Sequence, residues 1–202
     1  MLRWYVPSIN IEVIHVYERL EASGDLRNLI STVNGLPENY IGKCEILCND
    51  WNPVVVGHNV VILHALLNSG AAIEEAAELA LHLMYSSFVT KAASSFLNRA
   101  IALLRNAPFH ENLSSGSQGM LRVIVRTGAF ERTLDMLRST YSRDAAMRGY
   151  HGVMLNPIRQ DYRDRYASSL QPGHRLAFSR FRQQGVLAPF SLDTSHFTEP
   201  NR

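Results

Sequence analysis

Two short segments near the amino terminus combine residue types that hold nucleotide-type ligands. The first, Ser23-Gly24-Asp25, predicts a glycine turn that opens a helix. A glycine lets the backbone approach a ligand, and the helix that follows offers unpaired N–H groups. The second segment ends in Asn49-Asp50, which places an acid directly after an apolar run. An acid at a strand end, about twenty residues after a glycine turn, typically accepts hydrogen bonds from ribose hydroxyls.

Both segments also have structural interpretations. The three-glycine dinucleotide fingerprint is absent, so Gly24 on its own favours an ordinary turn over a ligand site. Asn49 and Asp50 are equally able to organise the turn before Pro53. The residues alone therefore favour a turn at Gly24 and leave both interpretations open for Asp50.

Other chemistry-bearing patterns favour structural roles. Glu78 and His82 have a spacing that metals use on helices, but no third ligand of suitable spacing accompanies them. His58 and His64 lie near opposite sides of one predicted helix, so they form no joint site. The Gly-x-Ser-x-Gly elbow of hydrolases does not occur. We therefore predict no metal site, and we identify no catalytic set.

A segment near the carboxyl terminus is basic and rich in aromatic residues. Its arginines could contact a phosphate backbone, or they could form a solvated helix face whose aliphatic stems cover apolar surface. We favour the second interpretation, because the net charge of the chain is only +2, and we predict no nucleic-acid partner. The charged residues are Arg159, Arg163, Arg165, Arg175, Arg180 and Arg182, with Asp161 and Asp164.

The elements that must position these residues are mostly helices. Asn52 and Pro53 supply an N-cap and a first-turn proline for a buried helix. Residues 43–49 are the clearest strand, residues 9–20 fit a strand or a short helix, and residues 107–119 have the composition of a loop. The segments with helical spacing are residues 26–33, 53–67, 73–89, 92–105, 121–140 and 161–170.

Length and composition predict a single domain outside the membrane. The chain has 202 residues, of which 46% are hydrophobic, and its longest apolar stretch, residues 54–67, is too short and too polar to span a bilayer. The amino terminus lacks the pattern of a signal peptide. On a strand, Cys44 and Cys48 would lie about 13 Å apart, beyond the roughly 7 Å that a disulfide allows. Two free thiols indicate a reducing compartment, the cytosol.

Several motifs, in order along the chain, resemble one family. It is the domain of unknown function numbered 4470, which occurs in fungal proteins, some with a MYND zinc finger, and which is similar to the amino-terminal region of an axonemal dynein assembly factor. The earlier motifs are Ser23-Gly24-Asp25-Leu26-Arg27-Asn28, Leu36-Pro37, Leu47-Cys48-Asn49-Asp50-x-Asn52-Pro53 and His58-Asn59. The later motifs are Met84-Tyr85-Ser86, Asp161-Tyr162-Arg163, His174-Arg175, Gly185-Val186-Leu187-x-Pro189-Phe190 and Pro200-Asn201.

The resemblance implies a helix-rich α/β fold, a Rossmann-like, methyltransferase-like three-layer unit. It implies one such domain over residues 23–202, preceded by a divergent segment, residues 1–22. Carried over position by position, Gly24 and Asp25 would line the loop that holds S-adenosylmethionine, and Asp50 would take the ribose.

The chain departs from the family pattern at two places. Relatives often carry Gly-Cys-Gly-Asp where this chain has Ala22-Ser23-Gly24-Asp25, and the apolar strand expected before the turn is replaced by the charged residues 17–21. The family also continues past Pro200-Asn201, so we expect a truncated or altered copy. We predict a non-catalytic interaction or assembly module with a protein partner. The alternative is an S-adenosylmethionine-dependent methyltransferase of unknown substrate.

Overall fold

A computed structural model describes residues 9–14, 24–37, 44–50, 52–68, 72–106, 113–115, 119–124 and 127–201. The strands in these segments are β1 (Ile9–Ile14), β2 (Cys44–Asn49), β3 (Phe88–Thr90), β4 (Leu113–Ser115), β5 (Gly119–Ile124) and β6 (Phe197–Pro200). The helices are α1 (Arg27–Asn34), α2 (Pro53–Asn68), α3 (Ile73–Tyr85), α4 (Lys91–Asn106), α5 (Thr127–Arg138), α6 (Arg143–Met154), α7 (Gln160–Ser169) and α8 (Pro172–Gln184), with a 3-10 turn at Pro157–Arg159. The fold is therefore helix-rich and of mixed α/β type. In this described part of the chain, each helix is too short or too polar to cross a membrane.

The chain divides into two compact units. Unit 1 comprises residues 1–80 and 97–138, and unit 2 comprises residues 81–96 and 139–202. Two of the three boundaries between them fall within α3 and α4, and the third directly follows α5.

Unit 1 contains a four-stranded sheet in the order β2-β1-β5-β4. Strand β1 runs parallel to both of its neighbours, and β4 is antiparallel to β5. In register, Ile9 of β1 lies opposite Cys44 of β2 and Gly119 of β5. Since β2 and β5 flank β1 on opposite sides, the carboxyl end of β1 is a topological switch point, where open α/β sheets bind ligands.

Helix α2 is the most buried helix of unit 1, as its nearly continuous apolar sequence predicts. Val60, Val61 and Leu63 are at most 1% exposed. The predicted N-cap is confirmed, since Asn52 Oδ1 accepts a hydrogen bond from the N–H of Val54 at 2.9 Å. The helix also packs closely on α5: a Cβ atom added at Gly57 would lie 2.3 Å from Thr133 Cγ2.

Unit 2 is built on a smaller core. Strands β3 and β6 pair antiparallel as a two-stranded sheet. Phe88 and Phe197, one on each strand, are at most 3% exposed and form a buried cluster with Val186. Helix α6 contributes Ala146 and Met147 to the edge of this cluster.

Three predicted elements differ from the structure. Helix α3 ends at Tyr85, and the predicted continuation to residue 89 is wrong because Phe88 and Val89 pair with β6. Residues 121–124 form part of β5 rather than a helix, since they extend the sheet beside β1. The predicted loop at residues 107–119 contains β4. Residues 9–14 of the ambiguous segment form a strand, while residues 15–20 and the substituted pair Ala22-Ser23 lie outside the described residues.

Candidate functional site

The structure brings Gly24 and Asp50 together at the carboxyl end of β2. Gly24 has a left-handed backbone, with φ at +60°. Its N–H donates a hydrogen bond to Asp50 Oδ2 at 3.1 Å, across 26 residues of sequence. The glycine turn and the acid at the strand end therefore form one site in unit 1, in direct contact.

Both oxygens of the Asp50 carboxylate accept hydrogen bonds from backbone N–H groups. Its second oxygen, Oδ1, accepts the N–H of Asn52 at 2.8 Å. The residue is only 4% exposed. A buried carboxylate that accepts two N–H groups satisfies two donors that would otherwise be costly to bury. Asp50 thereby fixes the Gly24 turn to the start of α2.

A third side chain, Asn59 of α2, completes the arrangement. Asn59 is 5% exposed, and its Nδ2 donates to the carbonyl of Gly24 at 2.7 Å. The two backbone polar groups of Gly24 are thus held by Asp50 and Asn59. The sequence did not predict a role for Asn59 at this site, although Asn59 belongs to the His58-Asn59 motif. We refer to Gly24, Asp50, Asn52 and Asn59 as the Gly24 cluster.

Asp25, the third predicted cofactor residue, pairs instead with Arg27. Its Oδ1 accepts hydrogen bonds from the backbone N–H of Arg27 at 3.1 Å and from Nε at 2.8 Å. Burial acts to raise the pKa of Asp25, but these hydrogen bonds and the guanidinium charge outweigh it and hold the pKa below its usual value. The Asp25 carboxylate therefore stabilises the first turn of α1.

The other candidate residues are dispersed. Glu78 is exposed, whereas His82 is buried with its Nδ1 2.9 Å from Ser86 Oγ. Burial lowers the pKa of His64 and raises that of Cys48, a free thiol. Among the residues that the structure describes, no group of three or more histidine, cysteine or acidic side chains is arranged to hold a metal ion.

Three of the later motifs meet in unit 2. The Ser86 hydroxyl accepts the N–H of Leu187 at 3.0 Å, and the N–H of Ser87 donates to the carbonyl of Gly185 at 2.6 Å. The N–H of Asn201 donates to the carbonyl of Ser87 at 2.8 Å. Two backbone hydrogen bonds and one to the Ser86 side chain therefore hold the segments around residues 86, 186 and 201 together.

Asn201 also caps the carboxyl end of α3. Its Nδ2 lies 3.2 Å from the carbonyl oxygen of His82, 2.9 Å from that of Leu83 and 2.7 Å from that of Ser86. The last carbonyls of a helix have no partner within the helix, so a side-chain donor there is stabilising. The Pro200-Asn201 motif therefore has a structural role that the sequence did not predict.

Comparison with protein families identifies the amino-terminal part of the chain. Residues 14–89 match the family described as Domain of unknown function (DUF4470). This segment is similar to that family. The resemblance inferred from the motifs is thereby confirmed for this segment, whereas the motifs after residue 89 lie beyond the match. Comparisons with curated proteins and with solved structures gave no significant match.

The DUF4470 segment contains every residue of the Gly24 cluster. Its acid at the end of β2 is positioned where α/β proteins hold a ribose, yet it accepts hydrogen bonds from the N–H groups of Gly24 and Asn52. In chemical terms, the cluster fixes a glycine turn against the end of a parallel strand. This arrangement fits two functions. They differ in whether a ligand can bind Asp50 while Asp50 also accepts these N–H groups.

Proposed function

We propose that this chain is a non-catalytic, methyltransferase-like domain that acts as an interaction or assembly module. The observation that carries the proposal is the use of Asp50. Both of its oxygens accept backbone N–H groups, and the residue is 4% exposed, so the acid that would hold a ribose is engaged in the fold. A domain of this kind keeps the architecture of an enzyme while its ligand-binding acid has become structural.

The Rossmann-like, methyltransferase-like part of the proposal has support from the sheet. Strands β2 and β5 flank β1 in parallel, and the Gly24 cluster lies at the carboxyl end of β2. This is the edge at which nucleotide-type ligands bind in such folds. The family resemblance supplies the methyltransferase comparison, and we propose a fungal-type member on the same ground.

The proposed setting is the cytosol, with a protein as the partner. The free, buried thiol of Cys48 fits a reducing compartment. The near-balanced charge of +2 supports a protein partner over nucleic acid, and we propose no membrane attachment.

The alternative function, an S-adenosylmethionine-dependent methyltransferase, is favoured by one specific observation. Gly24 has a left-handed backbone beside the acid that follows β2, which is the placement expected of a cofactor loop. A carboxylate has about four acceptor positions, so two N–H groups do not exhaust it. Methyl transfer depends largely on positioning the cofactor and nucleophile, so it needs no conspicuous catalytic residue.

Calorimetric titration of the folded protein with S-adenosylmethionine separates the two functions. We expect no binding heat at about millimolar cofactor. Binding tighter than about 100 μM, or about −5.5 kcal/mol, that is lost in Asp50→Ala would overturn the non-catalytic proposal. Asp135→Asn, which changes an exposed acid on α5, is the matched control and should behave as the wild type.

A further inference from the structure

Unit 2 presents a ladder of exposed apolar side chains along one side of α7. Ile158, Tyr162 and Tyr166 follow one another at four-residue spacing, so they share a face of the helix and the turn that precedes it. Their exposed fractions are 91%, 70% and 44%. We call these three residues the α7 face. Such a contiguous apolar surface commonly marks an interaction site.

The two tyrosines of the α7 face contact neighbouring aromatic rings. The rings of Tyr162 and Tyr166 stack with centroids 6.4 Å apart and planes 9° from parallel. Tyr166 in turn meets Phe178 of α8 edge to face, at 5.2 Å. Aromatic side chains supply a large contact area with few rotatable bonds, which favours their use as anchors.

The helices of this region contain no fully buried side chain. No residue of α6, the 3-10 turn, α7 or α8 is fully buried. Within the stretch from residue 127 to residue 201, these helices therefore reach the core only with partly buried side chains, such as Ala146 and Met147 of α6.

The segment that carries the α7 face is rich in arginine. From residue 157 to residue 184 the sequence contains six arginines, two aspartates and no lysine. Arg165 is paired with Asp161, with Nη2 2.6 Å from Oδ2, while Arg159 and Arg175 are exposed. The Nε atoms of Arg163 and Arg182 are buried without a hydrogen-bond partner among the described residues. Tyrosine and arginine are the residues most enriched in binding hot spots.

We propose that the α7 face docks an acidic amphipathic helix of a partner protein. Aliphatic side chains of that helix would cover Ile158 and Tyr162. Its flanking carboxylates would complement the charge of the exposed arginines in this segment, such as Arg159. This inference rests on the proposed function and gives the interaction module its binding surface and the chemistry of its partner.

A protein helix fits this surface better than a nucleic acid does. Ile158 offers no ring on which a base can stack, and Tyr162 and Tyr166 already stack on one another. The combination of an aliphatic anchor with mixed charge is that of a protein interface.

The test uses fluorescence anisotropy with defined probes. The main probe is a labelled peptide of about 18 residues, long enough to form a helix, with leucines at i, i+3, i+4 and i+7 and glutamates between them. Its controls are a scrambled peptide of the same composition, a version with lysine in place of glutamate, and a uridine homopolymer. The protein variants are Ile158→Ser/Tyr162→Ala and, as matched control, Leu103→Ser, which removes another exposed apolar side chain (60%).

We expect the glutamate peptide to bind with a dissociation constant of about 10–100 μM and the controls to bind at least about tenfold more weakly. The double variant should lose about tenfold in affinity, while Leu103→Ser retains it. Equal binding of the scrambled or lysine peptide, tighter binding of the uridine polymer, or a dimer that the double variant abolishes would overturn the docking proposal.

One further comparison separates this proposal from the proposed function. If a partner captured from a lysate of the source cells is retained equally by wild type and by the double variant, the α7 face is not the binding surface, although the interaction module stands. If S-adenosylmethionine binds in the calorimeter, the proposed function fails whatever the peptides do.

Discussion

Among the residues that the structure describes, two glycines have left-handed backbones, and their surroundings differ. An added Cβ at Gly24 (φ +60°) would meet nothing within 4 Å, whereas at Gly185 (φ +71°) it would lie 3.0 Å from the Cβ of Ser87. Left-handed backbone costs a residue with a side chain about 1–2 kcal/mol. We expect Gly24→Ala to lower the free energy of unfolding by about that amount and Gly185→Ala to lower it further, as measured by urea denaturation. Equal losses would contradict a steric conflict between the added Cβ and Ser87.

Asn201 is expected to stabilise unit 2 through its amide donors. Asn201→Ala leaves carbonyls at the end of α3 without their partner, and we expect a loss of about 1–3 kcal/mol in unfolding free energy. Asn201→Asp keeps the shape but replaces the donors by acceptors that face the carbonyls of Leu83 and Ser86, so it should lose at least as much. Wild-type stability in Asn201→Asp would show that shape, not hydrogen bonding, matters there.

At this scale the sequence predicted contacts that local rules govern. A glycine turn and an acid at a strand end predicted that Gly24 and Asp50 lie on one sheet edge, and they are in contact. The roles of Asn59 and Asn201 were not predictable in the same way. Each depends on which backbone carbonyls reach the side chain after folding, 35 and about 115–119 residues away in sequence.

At the scale of elements, the packing of α2 on α5 depends on a missing side chain. Gly57→Ala would place a methyl group 2.3 Å from Thr133 Cγ2. We expect a loss of about 1–3 kcal/mol in unfolding free energy. Thr133→Ser removes the clashing methyl and keeps the hydroxyl, so it should recover much of the loss in the double variant. A double-mutant cycle with additive effects would contradict direct contact at this crossing.

Helix α2 also carries a pH-sensitive contribution to stability. Burial lowers the pKa of His64 from its ordinary value of 6.5, so the folded chain holds its proton more weakly than the unfolded chain does. Below about pH 6.5 the unfolded state therefore binds more protons, and stability falls as the pH drops toward the folded-state pKa. His64→Gln should flatten this decline in thermal unfolding measured from pH 7.5 to 5. His174→Gln, at an exposed site, is the control and should leave the decline unchanged.

Element boundaries show why part of the fold was not predictable. The N-cap at Asn52 was predicted because a cap is local. The end of α3 was missed because β6 and Asn201, more than a hundred residues later, decide it. Residues 121–124 read as helix in isolation, yet pairing with β1 makes them a strand. Tertiary contacts override short apolar patterns of this kind.

At the scale of the whole molecule, the chain combines a segment that matches the DUF4470 family model, residues 14–89, with a later helical region. The proposals give the Gly24 cluster of unit 1 a structural role and the α7 face of unit 2 a binding role. The first proposal depends on whether Asp50 holds the fold alone or also a cofactor.

Thermal unfolding of wild type and Asp50→Asn, each with and without about 1 mM S-adenosylmethionine, tests this directly. Asparagine presents donors where Gly24 and Asn52 also donate, so we predict that Asp50→Asn lowers Tm by about 4–8 °C and that cofactor shifts neither protein. A cofactor with a dissociation constant of about 10 μM would add about 2.7 kcal/mol at this concentration. A cofactor-induced rise in the Tm of wild type that is absent in Asp50→Asn would contradict the structural role of Asp50.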